Sequence, residues 1–373
     1  MEQFLHGYAV GSDPRELVNT CLSQIGDVPP EATLGVLYLT DALAREAEHL
    51  MHLLQHATGV SNWIGTVGLA IVTTGLEIYD QPAMAVMLLD IPADQFRLIP
   101  NQTENTSAFI ADNRAWIEAH HPGFGLLHGD PTNPEIPQLI ERFSVELGEG
   151  FFVGGLTSSQ SLQIQISNGV GSGGLSGVLF ASSVDVIAGH TQGCSPIGPV
   201  HTISEAQGNV IARIDQQPAL SVLKEDVGEV LARDLKRLGG YVFAGLPVPQ
   251  SDRGDYLVRS LIGIDTNQGL VAIGDLVEAG DQLMFCRRDG NTAREDMLKM
   301  LRDLDQRREG RPIRGGCYYS CLGRGRHQFG EHSEEIKMIG EVLGDFPLVG
   351  FFANGEIFHN RLYGFTGVLS LFL

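Results

Sequence analysis

Two short stretches bring together groups that can bind and react. Cys321-Leu-Gly-Arg-Gly sets a thiol, the Arg324 guanidinium and two glycines, Gly323 and Gly325, at the end of an apolar run. Asn354-Gly355-Glu356 sets an amide and a carboxylate at the end of another. If both runs are parallel strands joined by the helix between them, Arg324 and Glu356 emerge at one sheet edge, where open α/β sheets place their ligand crevices. A cation and a carboxylate there can hold the two ends of a small zwitterion, and glycines admit a ligand to the backbone. The plainer reading is a structural Arg324–Glu356 ion pair. Arg324 also favours thiolate at Cys321, against the reading of that residue as a small buried hydrophobe. Gly154, Gly155 and Thr157 form a similar strand end upstream, and Gly193-Cys194-Ser-Pro sets a second thiol in a turn. These are the candidate ligand-binding residues; none is given a catalytic or metal-binding role.

Other motifs point away from common chemistries. Gly169-x-Gly171-x-x-Gly174 matches the dinucleotide fingerprint as a string, but the residues after it read as a strand where a phosphate site needs a helix N-terminus, so a glycine-rich hairpin is expected. There is no G-x-x-x-x-G-K-[ST], no G-x-S-x-G and no H-E-x-x-H. His49, His52 and His56 lie opposite the apolar stripe Leu43, Ala47, Leu50 and Leu54, which makes them a solvated face rather than a metal site. Cys317 and Cys321 on one strand would stand about 13 Å apart, too far to share a metal.

The elements that carry these residues repeat. Asp13-Pro14-Arg15-Glu16 caps a helix running to about Ile25. Three divergent β-α-β-β copies are then expected. The first comprises Leu34–Leu39, Asp41–Ala57, Trp63–Val72 and Ala83–Leu89; the second Phe124–His128, Pro134–Leu147, Phe151–Leu156, Leu162–Ser167 and Leu175–Ala181. The third comprises Cys317–Leu322, His332–Leu343, Pro347–Ala353 and Leu362–Leu373. Between the second and third lie extended segments and a helix opened by Pro218 and closed by Gly239-Gly240, the best candidate for a domain boundary. The expected fold is α/β (α+β), two domains of mixed β-sheets flanked by helices, with stacked sheets as one arrangement; the boundary separates residues 1–222 from 223–373.

Charge and composition exclude several classes. Lysine and arginine number 25 against 45 aspartate and glutamate, a formal charge of −20, so there is no basic field for nucleic acid or an anionic membrane surface. Five cysteines suit a reducing compartment better than a disulfide framework. The N-terminus has neither the basic nor the apolar region of a signal peptide, and no apolar stretch reaches the ~20 residues of a membrane span, so a cytoplasmic protein is expected.

Several spaced motifs resemble one family. Cys321-Leu-Gly-Arg-Gly, Phe329-Gly, and Gly344-x-x-Pro347-Leu-Val-Gly-Phe-Phe-Ala-Asn-Gly-Glu-Ile resemble the FIST C-terminal domain. Phe152-Val-Gly-Gly-Leu, Gly177-Val-Leu-Phe, Gly193-Cys-Ser-Pro-Ile-Gly-Pro and Pro218-Ala-Leu-x-Val-Leu resemble its N-terminal partner. The resemblance implies a sensory, signal-transducing module that binds small ligands such as amino acids, with some relatives binding haem and responding to nitric oxide. One departure is Thr66, where the family commonly has a cysteine. No output segment accompanies the module in this sequence, so a separate protein partner is expected to receive the signal. The first functional reading is therefore a small-ligand sensor. The second is a haem-binding nitric oxide sensor, for which His190, on an apolar strand beside the Gly193-Cys194 turn, is the candidate axial ligand. The third is an enzyme using Cys194 or Cys321 as nucleophile, though neither has an identifiable adjacent base.

Overall fold

The structure, a computed structural model, describes residues 1–232, 235–248 and 256–373. The chain forms two compact units, one of residues 1–191 with 296–373 and one of residues 192–295. The compact units therefore do not follow a cut at 222/223, because the chain returns from the second unit to complete the first. Among the described residues no helix is long and apolar enough to cross a membrane.

The first unit contains the three copies. Leu34–Thr40 runs parallel to Asn62–Gly68, Phe124–Gly129 to Phe151–Leu156, and Gly315–Cys321 to Leu348–Ala353. The crossovers are the helices Ala47–Thr58, Ile136–Glu146 and Glu334–Leu343. A later strand of each copy, Ala83–Leu89, Leu175–Phe180 or Thr366–Phe372, returns antiparallel beside the first. Three six-stranded sheets result, each named here after its copy.

The hairpin inside each copy does not stay in its own sheet. Ala70–Thr73 with Leu76–Tyr79 joins the third sheet, Gln165–Ser167 with Val170–Gly171 joins the first, and Glu356–His359 with Arg361–Tyr363 joins the second. The run Trp63–Val72, expected as one strand, is accordingly two strands on two sheets. They part at Gly68-Leu69, where a Cβ on Gly68 would sit 2.6 Å from the Ala70 carbonyl oxygen and 3.0 Å from Cβ of Phe351. Leu362–Leu373 likewise divides into Arg361–Tyr363 and Thr366–Phe372.

The three chain crossings are tied to one another. Ser158 N–H donates to the Val67 carbonyl at 3.2 Å, and Asn354 N–H to the Leu156 carbonyl at 3.0 Å. At the third crossing a side chain intervenes: Leu69 N–H donates to Ser158 Oγ at 2.9 Å, and that hydroxyl donates to the Phe352 carbonyl.

Strand alternation then sorts residues into an inner and an outer core. Val36, Tyr38, Leu126, Val178, Cys317 and Tyr319 face inward, into one cluster shared by all three sheets. Leu37, Leu39 and Val67 face outward onto helices Pro14–Ile25 and Ala47–Thr58, and Leu127 and Leu179 onto helices Ser107–Asp112, Arg114–His120 and Ile136–Glu146. His49, His52 and His56 are exposed, as the apolar stripe on their helix requires. After Gly169-x-Gly171-x-x-Gly174 the chain enters the strand Leu175–Phe180, so no helix N-terminus is available to a phosphate there.

The second unit is an antiparallel ring. Gln282–Arg288, His201–Gln207, Val210–Ile214, Leu270–Ile273, Tyr256–Asp265 and Val242–Pro247 pair in that order, and the last pairs back to the first. Ala219, Leu220, Val222 and Leu223 of the helix Ala219–Ala232 join the ring's core. That helix, expected to run from Pro218 to Gly239-Gly240, is broken at Gly228 (φ 78°, ψ 164°); residues 233 and 234 of the expected span lie outside the described residues.

Candidate functional site

The strand Gly315–Cys321 presents Cys317, Tyr319 and Cys321 to the inside of the unit and Tyr318 and Ser320 to the helix Glu334–Leu343 outside. Beyond it the chain turns tightly, with Arg324 N–H donating to the Cys321 carbonyl at 2.8 Å. Gly325 has φ +52°, and a Cβ there would overlap the Tyr79 hydroxyl, so this glycine serves the turn.

Arg324 is fully buried and turns to the outer side. Its Nε donates to Glu335 Oε1 at 2.7 Å. Glu335 also accepts from Tyr318 Oη at 2.6 Å, Ser320 Oγ at 3.0 Å and the Gly325 N–H at 2.8 Å. The guanidinium lies 5.0 Å from the Phe329 ring centre, and Nη2 reaches Met297 Sδ at 3.8 Å. Burial alone would lower the Arg324 pKa; the Glu335 carboxylate more than reverses this, so the group stays charged. Nη1 has no hydrogen-bond partner. The ion pair of Arg324 is thus with Glu335 and not with Glu356: the turn after Cys321 carries the guanidinium to the outer side, where Glu335 accepts from it, while Glu356 lies inward opposite Gly155.

Glu356 lies on the hairpin strand that joins the second sheet, directly opposite Gly155, with Ile357 opposite Gly154. It too is fully buried. Oε2 accepts from Thr366 N–H at 3.1 Å and Thr366 Oγ1 at 2.8 Å, while Oε1 has no hydrogen-bond partner. Burial pushes this carboxyl up to about 8, against the opposing pull of the Thr366 hydrogen bonds, the Arg324 charge and the Cys321 thiol. Cys321 is the half-buried member of five free cysteines. Burial and the Glu356 charge raise its thiol pKa, and the Gly323 and Phe365 N–H groups and Arg324 only partly offset them. Of the two readings of Cys321, this setting favours the buried thiol, since the pull of Arg324 is a minor one.

The structure places the remaining candidates as follows. Asn354 is exposed, and the Gly355 carbonyl accepts from Leu156 N–H at 2.8 Å. A Cβ on Gly323 would sit 3.0 Å from the Phe365 ring. Gly154 has φ +149°, and a Cβ there would overlap the Leu127 carbonyl oxygen; Gly65 and Gly350 stand in the same relation to Leu37 and Tyr318. These three glycines mark equivalent close strand approaches in the three copies. Gly155 adjoins Ala353 and Gly355, so the second-copy glycines and the Glu356 hairpin share one seam. Thr157 Oγ1 is 2.7 Å from Thr66 Oγ1 and accepts from Gln165 Nε2 at 2.7 Å. His190 packs 4.3 Å from the Phe358 ring and 5.2 Å from that of Tyr363. Cys194 belongs to the second unit, buried and opposite Arg288, apart from this group in the chain's division. Among the described residues no cluster of His, Cys, Asp and Glu could hold a metal.

Registers align the copies into one inward-facing layer. It runs Gln165, Thr66, Tyr38, Ala85 across the first sheet and Glu356, Gly155, His128, Ser176 across the second. Across the third it runs Ile71, Phe351, Tyr319, Val368. The equivalent residues Tyr38, His128 and Tyr319 meet: Tyr38 Oη is 3.0 Å from both His128 Nε2 and Tyr319 Oη. Sequence reasoning missed Glu335, Thr366, Gln165 and His128, and only the repeat spacing pointed toward the last two.

Residues 33–217 match the FIST N domain and residues 219–359 the FIST C domain. The chain belongs to the FIST family. An uncharacterised protein of Mycobacterium tuberculosis is 34% identical over 358 residues, 91% of each chain, and one of Mycobacterium bovis is 31% identical over 326 residues, 83% of this chain and 82% of the other. FIST domains are associated with sensory and signal-transducing roles. In this FIST protein the two domain matches meet inside the second unit, and the layer that holds Glu356 is assembled from both.

Proposed function

We propose that this FIST protein is a small-ligand sensor whose ligand carries an amino group and docks at the inner corner made by Glu356, Cys321 and Thr366. The observation that carries the reading is a fully buried carboxyl group of which one oxygen is satisfied by Thr366 and the other meets no donor beyond the neighbouring Cys321 thiol. An unpaired buried acceptor is costly, and an ammonium donor would offset that cost. A carboxyl displaced to about 8 in a buried setting is also a mark of binding and catalytic sites. An amino acid or related metabolite supplies such an ammonium group, while Arg324, turned to the other face, remains paired with Glu335. The occupied state then changes the contacts of the protein with a signalling partner.

A thermal-shift screen of amino acids and amine metabolites tests this. A true ligand at 100 times its Kd raises stability by about 2.7 kcal/mol. Glu356→Gln should abolish the shift in a protein that remains folded. A full shift in that variant, or no stabilising compound in the screen, overturns the reading.

A further inference from the structure

The corner equivalent to that of Glu356 lies between the first and second sheets, where the hairpin residue is Gln165. Three buried polar atoms of the residues around it have no protein partner: Gln165 Oε1, Ser176 Oγ and His128 Nδ1. Their residues are at most 1% exposed. Register fixes their mutual placement. Ser176 is directly opposite His128, Gln165 is directly opposite Thr66, Thr66 is beside Tyr38, and Tyr38 Oη is hydrogen-bonded to His128 Nε2 at 3.0 Å. Ile164 and Ile166 pack outward, so Gln165 faces in; Val178 and Phe180 pack inward, so Ser176 does as well. Native interiors rarely leave one such atom unsatisfied, and three in one layer call for a molecule that pairs with them.

We propose that this corner binds a small uncharged molecule of the carboxamide or urea class. The two acceptors Gln165 Oε1 and Ser176 Oγ match the two N–H donors of a primary amide. When Tyr38 donates to His128 Nε2, the remaining imidazole proton sits on Nδ1 and matches the amide carbonyl. Charge is disfavoured at this corner: Gln165, Thr66, Tyr38 and Ser176 are neutral, and burial lowers the His128 pKa to about 3, so the imidazole is neutral too. The Gln165 amide is itself held in place, with Nε2 donating to Thr157 Oγ1 at 2.7 Å. The site does not depend on the Glu356 reading.

The test uses the full chain labelled with 15N and titrated with acetamide, following the imidazole nitrogens. The expected result is a saturable shift of one neutral, buried histidine. Ser176→Ala and Gln165→Met should each weaken acetamide binding about tenfold, as the loss of one hydrogen bond does. Signals of the exposed histidines report that the variants are folded, and Ser176→Ala, which removes a single atom, keeps the test open should Gln165→Met not fold. Glu356→Gln should leave acetamide binding unchanged, which separates this site from the amine site. Absence of a saturable shift, wild-type affinity in both variants, or a crystal grown with acetamide that shows only ordered water at the three atoms overturns the proposal.

Discussion

Glu356 and Ile71 occupy the same place in the topology, yet one is a buried carboxylate and the other a buried hydrocarbon. Each is the first inward residue of a hairpin lent to another sheet, opposite Gly155 in one case and Phe351 in the other. Gln165 is the third member, opposite Thr66. The pairing geometry at the three corners is alike, so the fold supplies three places and the side chains decide what each can do. At Ile71 the corner belongs to the common core; at Glu356 and Gln165 polar atoms remain without partners. Binding capacity thus enters where the copies diverge, while the close-approach glycines mark where they agree.

The comparison can be broken most forcefully through the charges outside it. Glu335→Ala strands the Arg324 guanidinium in a buried setting and should cost about 3–5 kcal/mol in urea unfolding, whereas replacing both partners by methionine should recover most of the loss. Equal losses in the single and double variants would show that Glu335 stabilises by some route other than this pair. A smaller effect tests the equivalence of the copies. Gly65→Ala, Gly154→Ala and Gly350→Ala each push a methyl group into a neighbouring carbonyl and should each lose about 1–3 kcal/mol. Gly123→Ala, where nothing lies within 4 Å, should change little. Unequal losses among the three would mean that the copies do not share this contact.

The smallest effect is one of slope. The Glu356 carboxyl, raised to about 8 when folded and near 4.5 otherwise, binds more protons in the folded protein. Its stabilising influence is therefore complete below the ordinary carboxylate range and falls away as pH rises toward 8. Glu356→Gln should remove that part of the decline between about pH 5 and pH 8. Identical melting profiles for wild type and variant across that range would show that Glu356 titrates normally.

Some of this was legible in the sequence for physical reasons. The three copies were visible because helix periodicity and strand alternation are local, as in Ile136, Leu139, Ile140 and Phe143, all buried on one face. The exchange of hairpins was not: Trp63–Val72 is continuous in hydrophobicity, and nothing local says that Ala70 will pair in another sheet. The partner of Arg324 was missed for a related reason. Sequence set Arg324 and Glu356 at the ends of two neighbouring strands, but Glu356 begins a hairpin lent to another sheet, the turn through Gly325 decides which face the guanidinium takes, and Glu335 looked like an ordinary residue in the first turn of a helix. Gln165 and Ser176 carried no signal as single residues, since each becomes notable only when register sets it against a neighbour.

The lent hairpins also have a cost during synthesis. The strand Ala70–Thr73 finds its partner only at Leu348–Ala353, so Thr73 waits for Val349. At about 5–20 residues per second, the ribosome leaves that apolar hairpin without its sheet for roughly tens of seconds. Through that interval it presents an unpaired strand edge of the kind that invites aggregation. A chain stopped before Leu348 would carry a hairpin with no seat.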